Sequence, residues 1–305
     1  MPSAVVSQGR VSWTNITHPQ PDDMAEVGRR FPQFHPLNLQ DCLTAREIPK
    51  LDHHDDYLFL VVQLPVCNDH QGMFYAAEVD IFITRGVLVT AQRGDLEPIN
   101  RLFALVQNDQ SQRAELMGHG ASPLLHRLLA ELVDSCFPQI ECLLAELRHT
   151  ETNLFTDNTR HLLREIALVR RDVIAMKHIL SPQQEVIRQL AAGNWSFIHE
   201  DLDLYWFDIL DHLGQQCQIL EESSEVISGL SETADTLASH RIDEMVRLLT
   251  VVSVITLPMT LLAAIFGMNI ALPYSAHPYS FFVILGSGLM MVILLVLYIQ
   301  RKRWF

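Results

Sequence analysis

The sequence predicts an α/β soluble domain that carries a long stalk helix and two C-terminal transmembrane helices. Three observations predict it. Residues 248–268 and 279–299 are stretches of twenty-one residues with no charge, and at about 1.5 Å per residue each gives roughly 31 Å of helix, enough for a bilayer core of about 30 Å. Residues 200–247 contain no proline and repeat apolar side chains at three and four residues. Residues 11–95 hold strings rich in β-branched and aromatic residues.

Taken in order, 57–66 (YLFLVVQLPV), 74–84 (FYAAEVDIFIT) and 87–92 (VLVTAQ) read as strands, the last two joined by Arg85-Gly86 as a hairpin turn. His53-His54-Asp55-Asp56 invites a metal-site reading. Neighbours on an extended chain point to opposite faces, however, so a solvated turn before the strand is expected instead. From Pro98 the period becomes helical, with long amphipathic helices over 123–150 and 159–192, a turn at 155–158 with Asn158 as a cap, and a break at Gly193-Asn194. In the stalk, Leu210, Leu213, Cys217, Leu220, Ser224, Ile227, Leu230, Ala234 and Leu237 form a near-heptad. That helix, roughly 70 Å long at about 1.5 Å per residue, runs directly into the first span.

The division expected is therefore a cytoplasmic α/β domain with a helical bundle (1–199), the stalk (200–247), a first span (248–268), an outer loop (269–278), a second span (279–299) and a basic tail (300–305). Arg241 and Arg247 precede the first span, Arg301, Lys302 and Arg303 close the chain, and the loop has no Lys or Arg. The positive-inside bias places both termini in the cytoplasm, in an inner or plasma membrane. The opening MPSAVVSQGR lacks the pattern of a signal peptide.

Charge narrows the function. Residues 1–240 carry 17 Lys/Arg against 34 Asp/Glu, a net charge of −17, and the remainder carries five cations against two anions, or +3. So acidic a domain disfavours nucleic acid and suits either attraction of cations or plain solubility. Five cysteines without a CxxC pair indicate neither a disulfide framework nor a zinc ribbon. No Walker-type loop and no nucleophile with an activating base are found, so no enzyme activity and no organic cofactor are expected.

Along the first span Thr250, Ser253, Thr256 or Leu257, Thr260 and Ala264 recur at three to four residues and share one face. Small residues and hydroxyls suit helix packing; they equally suit a water-lined pore, which two spans can enclose only as a ring of identical chains. Pro258 sits mid-span and frees the Val254 carbonyl, so a kink is expected there.

The tripeptide Gly267-Met268-Asn269 ends this span. In that position, before a second span and a basic tail, it resembles the signature of the CorA family of divalent metal ion transporters. His35-Pro36-Leu37, Asp41-Cys42-Leu43, Pro49-Lys50-Leu51, 56–60, 205–212 (YWFDILDH) and 239–245 (SHRIDEM) are similar to the family's other landmarks, and Asp243 stands where the family generally has Asn. The resemblance implies a funnel-shaped homopentamer in membrane lipid that moves Mg2+, Co2+ or Ni2+. It implies an outer mouth at Gly267, Met268 and Asn269, and a pore lined by Asp243, Val246, Leu249, Thr250, Ser253, Leu257, Thr260 and Ala264. It further implies regulatory metal at Asp208 with Asp95 or Glu97.

Magnesium gives up its water reluctantly, so neutral oxygens that grip the hydrated ion suit a channel for it. Asn269 amides with the carbonyls near Gly267 would supply them, the glycine allowing the backbone to turn. Val246, Leu249 and Leu257 would close the pore by dewetting. Asp243 is either a ring that attracts cations or the partner of Arg247 at i, i+4. The loop lacks the acid that many magnesium-selective members place after the tripeptide, whereas Met268 favours magnesium over the zinc-transporting relatives. His277 is expected to be an interfacial loop residue. Two alternatives stand: a zinc transporter of the same fold, and a membrane-anchored acidic scaffold or sensor without transport.

Overall fold

The computed structural model describes residues 3–44, 48–68, 72–155, 159–193, 195, 198, 203–268 and 279–301. It divides into two compact units, Met1–Ser231 and Glu232–Phe305.

The first unit is built on a six-stranded sheet in the order β1-β2-β6-β5-β4-β3. Its strands are β1 (Ser3–Gln8), β2 (Val11–Thr17), β3 (Lys50–His53), β4 (Leu58–Asn68), β5 (Met73–Ile83) and β6 (Val87–Gln92). Only β2 and β6 run parallel; the other neighbours are antiparallel. The strands expected from β-branched and aromatic runs are β4, β5 and β6. The β5–β6 turn falls at Arg85-Gly86, where Val87 N donates to Thr84 Oγ1 at 3.0 Å. Glycine is required there because a Cβ on Gly86 would lie 2.8 Å from the Arg10 carbonyl.

Strands β1, β2 and β3 and helices α1 (Pro21–Arg30) and α2 (Pro36–Asp41) carry weaker signals and were not individually expected. β2 reads VSWTNIT, with polar Thr14 and Asn15 both buried: Asn15 Oδ1 accepts from Thr90 Oγ1 at 2.9 Å, which in turn accepts from Trp13 Nε1 at 3.1 Å, whereas Thr14 Oγ1 has no hydrogen-bond partner among the described residues. A polar network on a buried strand erases the apolar alternation that a sequence reading depends on.

Helices cover both faces of the sheet. On one face Met24, Val27, Phe31 and Phe34 from α1 and the segment after it pack with Ile16, Tyr57, Phe59, Phe82, Val89 and Ala91. On the other, α3 (Glu97–Asn108) sets Phe103 edge-on to Trp13 at 4.9 Å, and α5 (Ala121–Asp134) touches β5 and β6. A short α4 (Gln110–Met117) joins them.

The expected single helix over 123–150 is two, α5 and α6 (Phe137–Thr152). Pro138 lies in the first turn of α6, and in a continuous helix its ring would collide with the Asp134 carbonyl. Helix α7 (Thr159–Ala192) has the expected bounds and ends before Gly193. It lies along β4, whose partner β3 pairs only Leu58–Val61. Beyond that point β4 is an edge, which is why Pro65 is tolerated and why Gln183 of α7 accepts from Gln63 N at 3.3 Å. The turn expected at 156–158, with Asn158 as cap, lies outside the described residues.

Helix α8 (Asp203–Phe266) is continuous from the first unit into the second, with Pro258 inside it. Its buried seam keeps Leu213, Leu220, Ile227, Leu230 and Ala234 of the expected stripe and corrects Leu210, Cys217 and Ser224. Trp206, Ile209, Leu213, Gln216, Leu220, Ser223, Ile227 and Leu230 are buried, whereas Leu210, Cys217 and Ser224 are only half-buried. Spacings of three and four alternate strictly along that seam. Two polar members take the places the stripe gave to Cys217 and Ser224. Gln216 Nε2 donates to the Val133 carbonyl at 2.8 Å, and Ser223 Oγ donates to the Ile219 carbonyl at 2.7 Å, so each is hydrogen-bonded where it is buried.

The second unit holds the end of α8 and helix α9 (Ser280–Arg301). Both helices contain a segment long and apolar enough to cross a membrane. They meet at Gly288, where an added Cβ would stand 3.3 Å from Met259 Sδ and 3.5 Å from Leu262 Cδ1.

Candidate functional site

Within the second unit Val251, Val254, Ile255, Pro258 and Leu262 of α8 are half-buried, and Leu262 stands with Met259 beside Gly288 of α9. Val246, Leu249, Ser253, Leu257, Thr260 and Ala264 are exposed, and Thr250 is half-exposed. At 3.6 residues per turn this second set is centred roughly 140° around the helix from the first. The hydroxyl stripe therefore points away from the other arm of the hairpin, and packing against α9 does not account for it.

The hydroxyls have a fixed polarity. Thr250 Oγ1 donates to the Val246 carbonyl at 2.8 Å, Ser253 Oγ to Leu249 at 2.8 Å, Thr256 Oγ1 to Val252 at 2.7 Å and Thr260 Oγ1 to Leu257 at 2.8 Å. Each proton is committed to the helix's own backbone, and what the side chain presents outward is oxygen lone pairs.

At the end of the span Gly267 N donates to the Ala263 carbonyl at 2.9 Å and Met268 N to Ile265 at 3.4 Å. Gly267 turns the chain, as expected, but without a left-handed φ. A Cβ there would stand 3.0 Å from the Ala263 carbonyl, a tight approach that glycine avoids. Asn269, His277 and the rest of 269–278 lie outside the described residues, as does 302–305.

Asp243 is exposed and makes no ion pair with Arg247. In the first unit Asp208 lies exposed in the opening turns of α8, near His126. His126 Nε2 is 3.3 Å from the Tyr205 carbonyl, and burial holds the pKa of this histidine below its ordinary value. Asp95 is hydrogen-bonded to Tyr75, whose pKa rises first from burial and then from that carboxylate. Glu97 pairs with Arg101 at 3.7 Å. Among the described residues no three His, Cys, Asp or Glu side chains gather into a metal site, so one chain does not bring Asp208, Asp95 and Glu97 together.

His53 ends β3, and the turn after it is closed by His54 N donating to the Tyr57 carbonyl at 3.0 Å. His54 stacks on Tyr57 at 4.4 Å and His53 packs on Trp195 at 4.8 Å, so the two rings serve separate contacts. None of the five cysteines forms a disulfide. Gly288 is the residue of the hairpin that sequence reasoning passed over; the small triplet Gly286-Ser287-Gly288 in an apolar helix was the available signal.

An acidic α/β unit whose last helix continues into the first of two apolar helices has the architecture of a two-span membrane transporter of divalent metal ions. Comparison with known proteins makes this specific: the model of the CorA family, described as "CorA-like Mg2+ transporter protein", matches residues 8–302, and the chain belongs to that family. It is 24% identical over 295 residues to the cobalt/magnesium transport protein CorA of Thermotoga maritima, covering 96% of this chain and 83% of that one. It is 20% identical over 312 residues to the zinc transport protein ZntB of Yersinia enterocolitica, covering 99% and 90%. Its fold matches the complete structure of the CorA magnesium transporter from Methanocaldococcus jannaschii with a TM-score of 0.83 at 19% identity, over 98% of this chain and 94% of that one.

Proposed function

We propose that copies of this chain form a ring in the inner or plasma membrane and conduct hydrated Mg2+, with Co2+ and Ni2+, into the cytoplasm. The ring is a pentamer on the strength of the family resemblance. The observation that carries the reading is the stripe Thr250, Ser253 and Thr260, which faces away from α9 and offers lone pairs only. The water molecules around a divalent cation point their protons outward. A wall of acceptors therefore binds the hydrated ion without asking it to shed water, which Mg2+ does poorly.

At the inner end a ring of Asp243 concentrates cations, and at the outer end Gly267, Met268 and Asn269 form the mouth, with Asn269 contributing carboxamide oxygens. Between them the exposed Val246, Leu249 and Leu257 form apolar constrictions that close by dewetting. Inward movement needs no chemical fuel, since a divalent ion gains about 4.6 kcal/mol per 100 mV of inside-negative potential. Asp208 from one protomer, with Asp95 or Glu97 from the next, would bind regulatory metal between subunits, a site that a single chain leaves incomplete.

Uptake into proteoliposomes tests the reading. The parent should take up Mg2+, Co2+ and Ni2+, and Asn269→Ala should abolish most of that flux. A parent that moves no divalent ion would leave the hairpin as an anchor. One observation favours zinc as a second reading: the segment 270–278 holds no Asp or Glu and one histidine, His277. Uptake of Zn2+ well above Mg2+ in the same assay would select it.

A further inference from the structure

The two parallel strands β2 and β6 send the chain to opposite sides of the sheet. After β2 it passes into α1, which packs with Ile16, Val89 and Ala91. After β6 it passes into α3, which packs on Trp13. Where neighbouring parallel strands diverge in this way, their loops part and leave a crevice outside the carboxyl ends of the strands, the place where open α/β sheets take ligands.

Such a crevice is present. It has a volume of about 540 Å³ and is lined by His18, Pro19, Gln20, Pro21, Cys42, Leu43 and Arg93. His18 follows β2 and Arg93 follows β6, so each parallel strand delivers one basic residue to the opening. We propose that this crevice binds a phosphate-bearing organic anion of nucleotide size.

Charge is the first support. In a region whose net charge is −17, among the described residues Arg93 makes no ion pair or side-chain hydrogen bond and no carboxylate lines the crevice. Acids described near the crevice are engaged: Asp23 accepts from Gln20 N at 3.0 Å, Asp41 holds Lys50 at 2.6 Å, and Glu78 and Asp95, which share a neighbouring cavity with Arg93, accept from Gln63 Nε2 at 3.1 Å and from Tyr75. Asp80 is buried against Cys42, and burial followed by that carboxylate raises the Cys42 pKa, so the thiol in the lining stays neutral. A free guanidinium beside an imidazole recognises an oxyanion, and its planar fork suits phosphate.

Shape is the second. Inorganic phosphate would leave most of the volume empty, whereas small organic ligands occupy cavities of about 300–1,000 Å³. Pro19, Pro21 and Leu43 supply an apolar wall for the organic body, while the Gln20 amide braces the rim, donating to the His18 carbonyl at 3.3 Å and accepting from the first turn of α1.

The two loops are also fitted to each other. His18 adopts φ of 57°, in the left-handed region that a histidine rarely enters, and Gly94 has φ of 88°. A Cβ on Gly94 would stand 2.8 Å from His18 Cε1, so the imidazole is held over a glycine that cannot be replaced without moving it. His18 N donates to the Gln92 carbonyl at 2.8 Å and extends the β2–β6 ladder to the rim of the crevice.

The test is isothermal titration of the full-length protein in detergent, free of divalent metal, with AMP, ATP, ribose 5-phosphate and inorganic phosphate at constant ionic strength. At least one of the organic phosphates should bind in the micromolar range, at least tenfold more tightly than inorganic phosphate. Arg93→Ala should weaken that binding at least tenfold and leave the melting temperature of the free protein unchanged, since the exposed side chain has no partner to lose. Absence of binding by all three organic phosphates at millimolar concentration, equal affinity for inorganic phosphate, or binding that Arg93→Ala leaves intact would each overturn the proposal. The measurement reads binding rather than flux, so its outcome is separate from that of the transport reading.

Discussion

Gln216 of α8 donates its side-chain amide to the Val133 carbonyl of α5 at 2.8 Å, inside a seam otherwise made of Ser223 and the apolar Trp206, Ile209, Leu213, Leu220, Ile227 and Leu230. The bond adds a second donor to a carbonyl in the last turn of α5 that also accepts from Cys136 N at 3.1 Å, just before Pro138 forces the chain to restart as α6. The other amide atom, Gln216 Oε1, is buried with no hydrogen-bond partner among the described residues. Truncation to Gln216→Ala removes the bond and opens a cavity, at a cost of about 2–3 kcal/mol. Gln216→Met fills the same space and removes the orphaned oxygen, which offsets the lost bond to within about 1 kcal/mol. Thermal unfolding in detergent should therefore separate the two variants clearly, with Gln216→Ala melting lower; equal melting temperatures would mean the seam does not depend on this contact.

The same residue explains how much of the molecule the sequence disclosed. The spans, the stalk, α7 and the strands β4, β5 and β6 follow from long stretches in which apolar spacing dominates. In the stalk Leu213, Leu220, Ile227, Leu230 and Ala234 are buried as their spacing predicts, whereas Leu210, Cys217 and Ser224 give way by one residue to Ile209, Gln216 and Ser223, and only the partners of Gln216 and Ser223 reveal why polar side chains lie there. The small elements around β2 were hidden by the Trp13-Thr90-Asn15 network. At the candidate pore the residue types and their spacing were legible. That the stripe faces away from α9, and that its hydroxyl protons return to the backbone, depends on helix rotation and rotamer, which spacing alone does not encode.

Gly288 sets the approach of the hairpin arms. Replacement by Val drives a branched side chain toward Met259 and Leu262, and overpacking of this kind costs about 1–3 kcal/mol. Gly286, two residues earlier, has open space around its Cβ position, so Gly286→Ala should be neutral or mildly stabilising. Measured as thermal stability of the detergent-solubilised protein, Gly288→Val should fall and Gly286→Ala should not; equal loss at both would place the close contact elsewhere.

His126 predicts a pH effect on stability. Burial, the largest influence, lowers its pKa below 6.5, with the Tyr205 carbonyl and Asp208 pulling upward and Arg127 downward. The unfolded chain then binds this proton more readily than the folded one. The stability it contributes is complete above the unfolded value and declines as pH falls through 6.5 toward the folded pKa. His126→Leu removes that titration. Between pH 7.5 and pH 5.5 the parent should lose more melting temperature than the variant, and parallel losses would assign the acid sensitivity to other groups.

Asp243 distinguishes a ring of carboxylates from a local pair. In the sequence it stands four residues before Arg247, the spacing of a helical ion pair, yet the two do not pair, and both are exposed in the single chain. A carboxylate left free near the inner end of the stripe is available to raise the local concentration of cations, an effect worth one to three orders of magnitude when several charges converge. Asp243→Asn keeps shape and removes charge, so it should lower divalent flux at limiting ion concentration by about threefold to tenfold, with less effect at saturation and at high ionic strength. Arg247→Gln should not reproduce that loss, because no pair is broken. If the arginine variant loses as much flux as the aspartate variant, the two side chains act as a unit in the assembled ring and Asp243 is a structural partner, not a cation-attracting ring.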